Sequence, residues 1–226
     1  MLNTYIHDKY EQSWVDRLKN TPSEKFSVYE RNWVLPQLMR QGEKVLDLAS
    51  GNSIVGSYWA SEFGADVTAM DLSERALKDA SIRGVKTILG SVEEKLPFKS
   101  NTFDTVFWGD NIEHVFAPAD ILKEIHRVLK KGGRVILSTP NQSYWRYRIH
   151  MFIRGELPKT EGDENMPWEW EHIRFFSPKI MCDLFKKMGF KQTKFLGVSR
   201  RRIDIIGMKL SPELFGMIMV LEAKKI

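Results

Sequence analysis

From Glu43 to Pro140 the chain alternates strand-like and helix-like segments, and this order constrains its fold more than any other feature. KVLDLA (44–49) reads as a strand and SIVGSYWASEF (53–63) as a helix. DVTAMD (66–71) and SERALKDASIR (73–83) repeat the pair. VKTILG (85–90) and FDTVFWG (103–109) are further strands. A helix from Pro118 to Lys130, the turn Lys131-Gly132-Gly133 and the strand RVILSTP (134–140) complete the series. Such an order builds a mostly parallel sheet with helices on both faces. VLDLA and VFWG are apolar on successive residues, as strands buried on both faces are. Two later strands, KFLGV (194–198) and MIMVLEAK (217–224), are expected to close the sheet as an antiparallel pair. The helix SPKIMCDLFKKMGF (177–190) carries its own punctuation: Ser177 as cap, Pro178 in the first turn and Gly189 as the stop. The expected class is therefore α/β, a doubly wound, mostly parallel seven-stranded sheet.

At 226 residues the chain suits one domain with a substantial core rather than two. Residues 1–42 read as an amphipathic helical segment laid across the carboxyl edge of the strands. Residues 43–140 are the alternating core, 141–176 an insertion of different character, and 177–226 the rest of the sheet. No apolar run reaches membrane-span length, and the N-terminus MLNTYIHDKYEQSW is polar from the start, so a cytoplasmic location is expected. A single cysteine, Cys182, excludes an intrachain disulfide and a cysteine-rich metal cage. The net charge of +5 is too mild to select a partner.

In open α/β sheets a ligand sits beyond the carboxyl ends of the strands, which directs attention to VLDLASGNSIVG (45–56). The dinucleotide fingerprint G-x-G-x-x-G finds only Gly51 in register, with Ala49 and Ile54 at the other two positions. A pyrophosphate requires glycine backbone and a helix N-terminus, and Asp47 at the end of the strand would repel it. The same carboxylate suits a ligand with positive charge and no phosphate, such as S-adenosyl-L-methionine with its ammonium and sulfonium. Ala49, Ser50, Gly51 and Asn52 keep the turn compact, and Ser53 is placed to cap the next helix. Asp71, 20 residues beyond Gly51, stands where an acidic residue binds ribose hydroxyls, although it is also placed to cap the helix that follows.

VLDLASGNS, VTAMDLSERAL, LPFKSNTFDTV and IEHVFAPADILKEIHRVLKKGGRVILSTPN, in this order and spacing, resemble the class I S-adenosylmethionine-dependent methyltransferases. The likeness is to the broad group that includes ubiquinone-pathway and small-molecule methylases. It covers Glu43 to Asn141, and HIRFFSPKIMCDLFKKMGF is similar to a later segment of the group. The resemblance implies a Rossmann-like fold, a cofactor-binding core over 43–140, an N-terminal lid over 1–42 and an acceptor pocket built by 141–176. It places S-adenosyl-L-methionine against Asp47, Ala49, Ser50, Gly51 and Asn52 of the first loop, and Asp71 and Leu72 of the second. Ser91, Val92 and Glu93 would line the adenine, and Trp108, Gly109 and Asp110 complete the site. Two of the group's loop glycines are here Ala49 and Ser53, and Ser91 replaces its usual acidic residue.

Methyl transfer is an in-line displacement at an activated carbon, so proximity is the main catalytic factor and no catalytic triad is expected. A base is needed only for a hydroxyl or protonated amine acceptor. His114, in WGDNIEHVF, and His172, in EWEHIRFF, are the candidates, whereas His126 lies on a helix away from this edge. The acceptor is expected to be a small molecule, glycan or lipid, methylated on oxygen or nitrogen. Nucleic acid is not favoured, because no appended nucleic-acid module is present. Asp110, Glu113 and His114 form D-x-x-E-H, similar to the E-x-x-E-H of small-RNA ribose methyltransferases and some quinone methylases that use a divalent cation. Metal-assisted RNA ribose 2'-O-methylation is thus one alternative, and a non-catalytic cofactor-binding partner protein another; no residue is assigned as a metal ligand. YWRYRIHMFIRG (144–155) suits base stacking, a peripheral membrane contact or a lid helix over the pocket, the last being the simplest reading.

Overall fold

The computed structural model describes residues 2–20, 25–158, 160 and 172–226. The acidic stretch 161–171, expected to help build the acceptor pocket, lies outside the described residues. Seven strands form one sheet in the order β3-β2-β1-β4-β5-β7-β6. They are β1 (Lys44–Leu48), β2 (Asp66–Asp71), β3 (Lys86–Leu89), β4 (Phe103–Gly109), β5 (Leu129–Pro140), β6 (Phe190–Val198) and β7 (Ile218–Lys225). The first five pair in parallel, and β7 runs antiparallel between β5 and β6. The expected mixed sheet with an antiparallel C-terminal pair is therefore the one observed.

Alternate side chains of each strand enter opposite faces, which gives two cores. Leu46, Leu48, Val106 and Trp108 pack on one side with α4 (Pro118–Val128) and α6 (Pro178–Lys187). Val45, Val67, Phe107 and Ile136 pack on the other with α2 (Ile54–Phe63) and the turn holding Leu35 and Leu38. The crossover helix α3 (Glu74–Ile82) opens on Ser73, whose hydroxyl accepts from the Ala76 amide, and α6 opens likewise on Ser177.

Three local expectations are corrected. Ser53 does not cap α2: it is left-handed, with φ of 48°, and its hydroxyl donates to Asp47 instead. The helix expected to reach Lys130 stops at Val128, because Leu129 already pairs with Phe103 as part of β5; a register shift then carries the Lys131-Gly132-Gly133 turn within the strand. The N-terminal segment is not one amphipathic helix. Helix α1 (Leu2–Asn20) is followed, over Phe26–Gln37, by three short 3-10 turns. The region after Asn141 adds α5 (Trp145–Arg154), α7 (Arg202–Met208) and α8 (Pro212–Phe215).

Candidate active site

The carboxyl ends of β1, β2, β4 and β5 lie side by side at the centre of the sheet, and the loops leaving them form one polar edge. The loop after β1 is wound tightly, with Ala49, Gly51 and Ser53 all at positive φ. Asp47 fixes this shape from beneath. Its Oδ2 accepts from Ser53 Oγ at 2.6 Å and from the Gly56 amide at 3.2 Å. A Cβ on Gly56 would come within 2.3 Å of Ser53 Oγ, so the start of α2 must be small for this brace to form. Burial pushes the Asp47 carboxyl up to about 7 despite those hydrogen bonds. Asp47 therefore supports the loop directly and faces any ligand through it.

Asp71 joins the first two loops. Its Oδ2 accepts from the Gly51 amide at 2.7 Å, and its Oδ1 from the Ser73 amide at 2.9 Å. Burial raises this carboxyl above its ordinary range, opposed by the Ser73 and Gly51 amides. From outside, α1 covers the pair. Tyr10 Oη donates to Asp71 Oδ2 at 3.4 Å, Glu11 accepts from the Glu74 amide, and the Trp14 ring rests on Gly51. These contacts hold α1 against the loops after β1 and β2.

The remaining expected cofactor residues take separate places. Ser91 Oγ accepts from the Glu93 amide, and Glu93 in turn accepts from the Phe116 amide at 2.8 Å, which ties the loop after β3 to the one after β4. Trp108 is fully buried, its indole N–H donating to Asn111 Oδ1, so only its backbone borders the edge. Gly109 permits close packing, since a Cβ there would lie 2.5 Å from the Phe107 ring. Asp110, at φ of 45°, accepts from Ser138 Oγ at 2.6 Å and forms an ion pair with Arg31.

Arg31 is the site residue that the sequence did not reveal. It comes from the 3-10 turns before β1, and its positive charge opposes in part the upward push of burial on Asp47 and Glu113. Nothing in ERNW marks it, because its partner lies 79 residues away.

Glu113, His114 and His172 meet beside this edge. Their ligand-type atoms lie within 4.8 Å of one another, and the two imidazole rings are edge to face with centroids 4.7 Å apart. The Glu113 main-chain carbonyl accepts from the amides of Ile173 and Arg174, which brings the two segments together. Its side chain accepts from Thr139 Oγ1 at 2.9 Å, and burial pushes it up to about 7. Asp110 does not complete a D-x-x-E-H cluster, being turned to Arg31 and Ser138. His172 Nδ1 lies 2.6 Å from Thr160 Oγ1. His126 packs on Phe190, away from the cluster.

His172 also lines a cavity of about 1260 Å³ under α5, together with Tyr144, Tyr147, Ile149, Phe175 and Met217. The site therefore combines a compact loop edge bearing buried carboxylates with a mostly apolar, aromatic cavity, joined at two histidines. The compact edge fits S-adenosyl-L-methionine on the structure's own terms. The Gly51 backbone lies bare beside the Asp71 carboxylate beneath the Trp14 ring, and an edge of buried acids with no phosphate-binding glycine run suits a cofactor without phosphate.

Comparison with known proteins agrees. Residues 46–137 match the family described as a methyltransferase domain. The demethylmenaquinone methyltransferase of Listeria monocytogenes is 29% identical over 214 residues, covering 86% of this chain and 89% of that protein. The ubiquinone biosynthesis O-methyltransferase of Thiobacillus denitrificans is 26% identical over 196 residues, covering 82% and 81%. Among solved structures, an S-adenosylmethionine-dependent methyltransferase from Thermotoga maritima superposes with a TM-score of 0.68. It is 21% identical, and the match covers 98% of this chain and 99% of that one.

Proposed function

This chain belongs to the class I S-adenosylmethionine-dependent methyltransferases, and from that premise we propose that it methylates an oxygen of an apolar, ring-bearing small molecule. Transfer from S-adenosyl-L-methionine to a small molecule is the activity its relatives establish; the acceptor class and atom are our reading. The observation that carries it is the position of His172, which is at once a wall of the aromatic cavity and the ring partner of His114 at the end of β4. A prenylated or polycyclic phenol would bury its apolar surface against Ile149, Phe175 and Met217, with Arg146, Arg154, Glu156 and Arg201 left to meet its polar groups.

The bound cofactor supplies a methyl group already activated on a sulfonium. The chain's part is to align the acceptor and hold water away. Proximity of this kind is worth about 10⁵–10⁸ M in effective concentration. Asp71 and the Gly51 loop position the ribose end, while Tyr10 and Trp14 cover the loop from solvent. In the tautomer whose Nδ1–H donates to Thr160 Oγ1, His172 Nε2 takes the acceptor's hydroxyl proton, with His114 and the buried Glu113 beside it to stabilise the imidazolium. Such a base contributes about 10²–10⁴-fold.

The names of the two relatives point to quinone precursors, which fit an apolar, ring-bearing acceptor and leave the choice between ring oxygen and ring carbon to the test. The test is transfer of labelled methyl to a panel holding prenylated phenols, the same phenols without the prenyl chain, sugars and short RNA. A methyl ether formed mainly on the prenylated phenols supports the reading. Methylation at ring carbon, or on sugars alone, overturns it.

The Glu113, His114 and His172 cluster favours one second reading, metal-assisted methylation of an RNA ribose oxygen. One carboxylate and two imidazoles suit Mn²⁺ or Zn²⁺. Chelator-sensitive transfer to RNA would establish it, and transfer to phenols that is indifferent to chelator would remove it.

A further inference from the structure

Helix α5 has no buried residue, although its sequence is half aromatic and aliphatic. Ile149, Phe152 and Ile153 fall on one face at i, i+3 and i+4, with Phe152 92% exposed and Ile153 70%. Near it, α7 and the turn after it repeat the pattern with Ile203, Ile206 and Leu210, the last 86% exposed. Half of the large exposed apolar side chains among the described residues belong to these two segments. A soluble surface rarely keeps such a concentration without a partner.

The two segments are fixed as one surface. Asp204 of α7 is fully buried and accepts from Tyr144 Oη at 2.5 Å, Trp145 Nε1 at 2.8 Å and Ser199 Oγ at 2.6 Å. The start of α5 is thereby pinned to α7, and the Trp145 ring packs against Phe215 of α8. Asp204 is also the sole acidic residue in 144–155 and 199–210. Against it stand Arg146, Arg148 and Arg154 on α5, and Arg202 and Lys209 at the two ends of α7. One exposed acid, Glu156 just past α5, stands beside five basic side chains, so the apolar residues lie in an amphipathic and predominantly basic surface.

We propose that this α5–α7 surface docks on the headgroup region of an anionic lipid bilayer. The charge selects that occupant. A second copy packed through the same patch by a two-fold axis would set arginine against arginine, whereas anionic headgroups complement every basic residue. Ile149, Ile153, Arg154 and Arg201 line the aromatic cavity as well, so its mouth opens at the docked face. An acceptor held in the bilayer would pass into the cavity without crossing water. That use rests on the reading of an apolar acceptor given above, but docking itself does not require it.

The test is co-sedimentation of the full-length protein with vesicles of phosphatidylglycerol in phosphatidylcholine, beside pure phosphatidylcholine, with no acceptor present. Failure here is therefore separate from failure of the acceptor assignment. Binding is expected to the anionic vesicles and to weaken with salt, since each basic residue near such a surface strengthens it roughly fivefold. Phe152→Glu with Ile206→Glu should lower the partition about tenfold or more. Both side chains are exposed, so unchanged melting will confirm that the variant folds. Arg148→Glu with Arg202→Glu should abolish the preference for anionic lipid. Protein that stays in the supernatant with anionic vesicles, or that binds equally after Phe152→Glu and Ile206→Glu, overturns the proposal. Self-association lost in that variant, without vesicle binding, overturns it in favour of a second copy.

Discussion

The Trp14 indole and the Gly51 backbone are in such close contact that a Cβ built on Gly51 would lie 2.3 Å from the ring carbon Cζ2. Gly51 also sits at φ of 53°, where any other residue is strained. Gly51→Ala should therefore displace α1 and distort the loop at once, weakening S-adenosylhomocysteine at least tenfold in calorimetry, about 1.4 kcal/mol. Adding Trp14→Ala separates the two causes. Partial recovery in the double variant assigns the loss to the clash, and no recovery assigns it to the backbone. Binding unchanged in Gly51→Ala would mean that the loop does not hold the cofactor.

Tyr10 and Asp71 make a second test. The carboxylate accepts from two short amide contacts and from the longer Tyr10 contact, so if Asp71 holds the ribose at Oδ2, its hydroxyls must displace the phenol. Asp71→Asn should weaken S-adenosylhomocysteine about tenfold or more, by loss of charge-assisted bonds. Tyr10→Phe removes the competitor and should strengthen binding by roughly two- to fivefold, the worth of one ordinary hydrogen bond. Weaker binding in Tyr10→Phe would show instead that Tyr10 contacts the ligand.

Much of this was legible before the structure, and for identifiable reasons. Strands buried on both faces advertise themselves by unbroken apolar runs, so β1 and β4 were plain. The 20-residue spacing singled out Asp71, but its hydrogen bond to the Gly51 amide is a contact that the sequence did not announce. Ser53 was misread because its preference for capping gave way to a stronger local partner, the buried Asp47 carboxylate. Leu129 was misread because the helical run of α4 continues smoothly into a residue that the sheet recruits. Arg31 lay outside any local pattern, and the meeting of His114 with His172 depends on two main-chain bonds to the Glu113 carbonyl that no periodicity encodes. Helix α7 is a seven-residue element that opens at the end of the basic run Arg200-Arg201-Arg202, and no strand or helix pattern in that stretch marks it.

Buried Asp47 predicts a particular pH dependence of stability. Its carboxyl is held at about 7 in the folded chain, against about 3.9 when unfolded. Between those values the folded state keeps a proton that the unfolded state has released, so this group's contribution is lost as pH rises through about 7. The Glu113 carboxyl, also at about 7, acts in the same sense. His126 acts oppositely, since burial lowers its pKa, so the comparison must be with a variant rather than with pH alone. Asp47→Asn retains an oxygen for Ser53 and removes the titration. Its Tm relative to the unsubstituted protein should rise from mildly acidic to mildly alkaline pH in the absence of cofactor. A gap that stays constant across that range would show that Asp47 titrates normally.

His172 carries the chemical prediction. If Nε2 takes the acceptor's proton, His172→Ala should lower kcat by about 10²–10⁴-fold while leaving the affinity for S-adenosylhomocysteine unchanged, because the ring belongs to the acceptor cavity rather than to the loops around Gly51 and Asp71. His114→Ala should cost less, since that ring supports the first rather than meeting the cavity. Phenols of lower pKa, which reach the site already ionised, should recover most of the lost rate in His172→Ala. A loss that is independent of acceptor pKa would assign His172 to positioning the acceptor, and a loss confined to KM would remove it from proton transfer altogether.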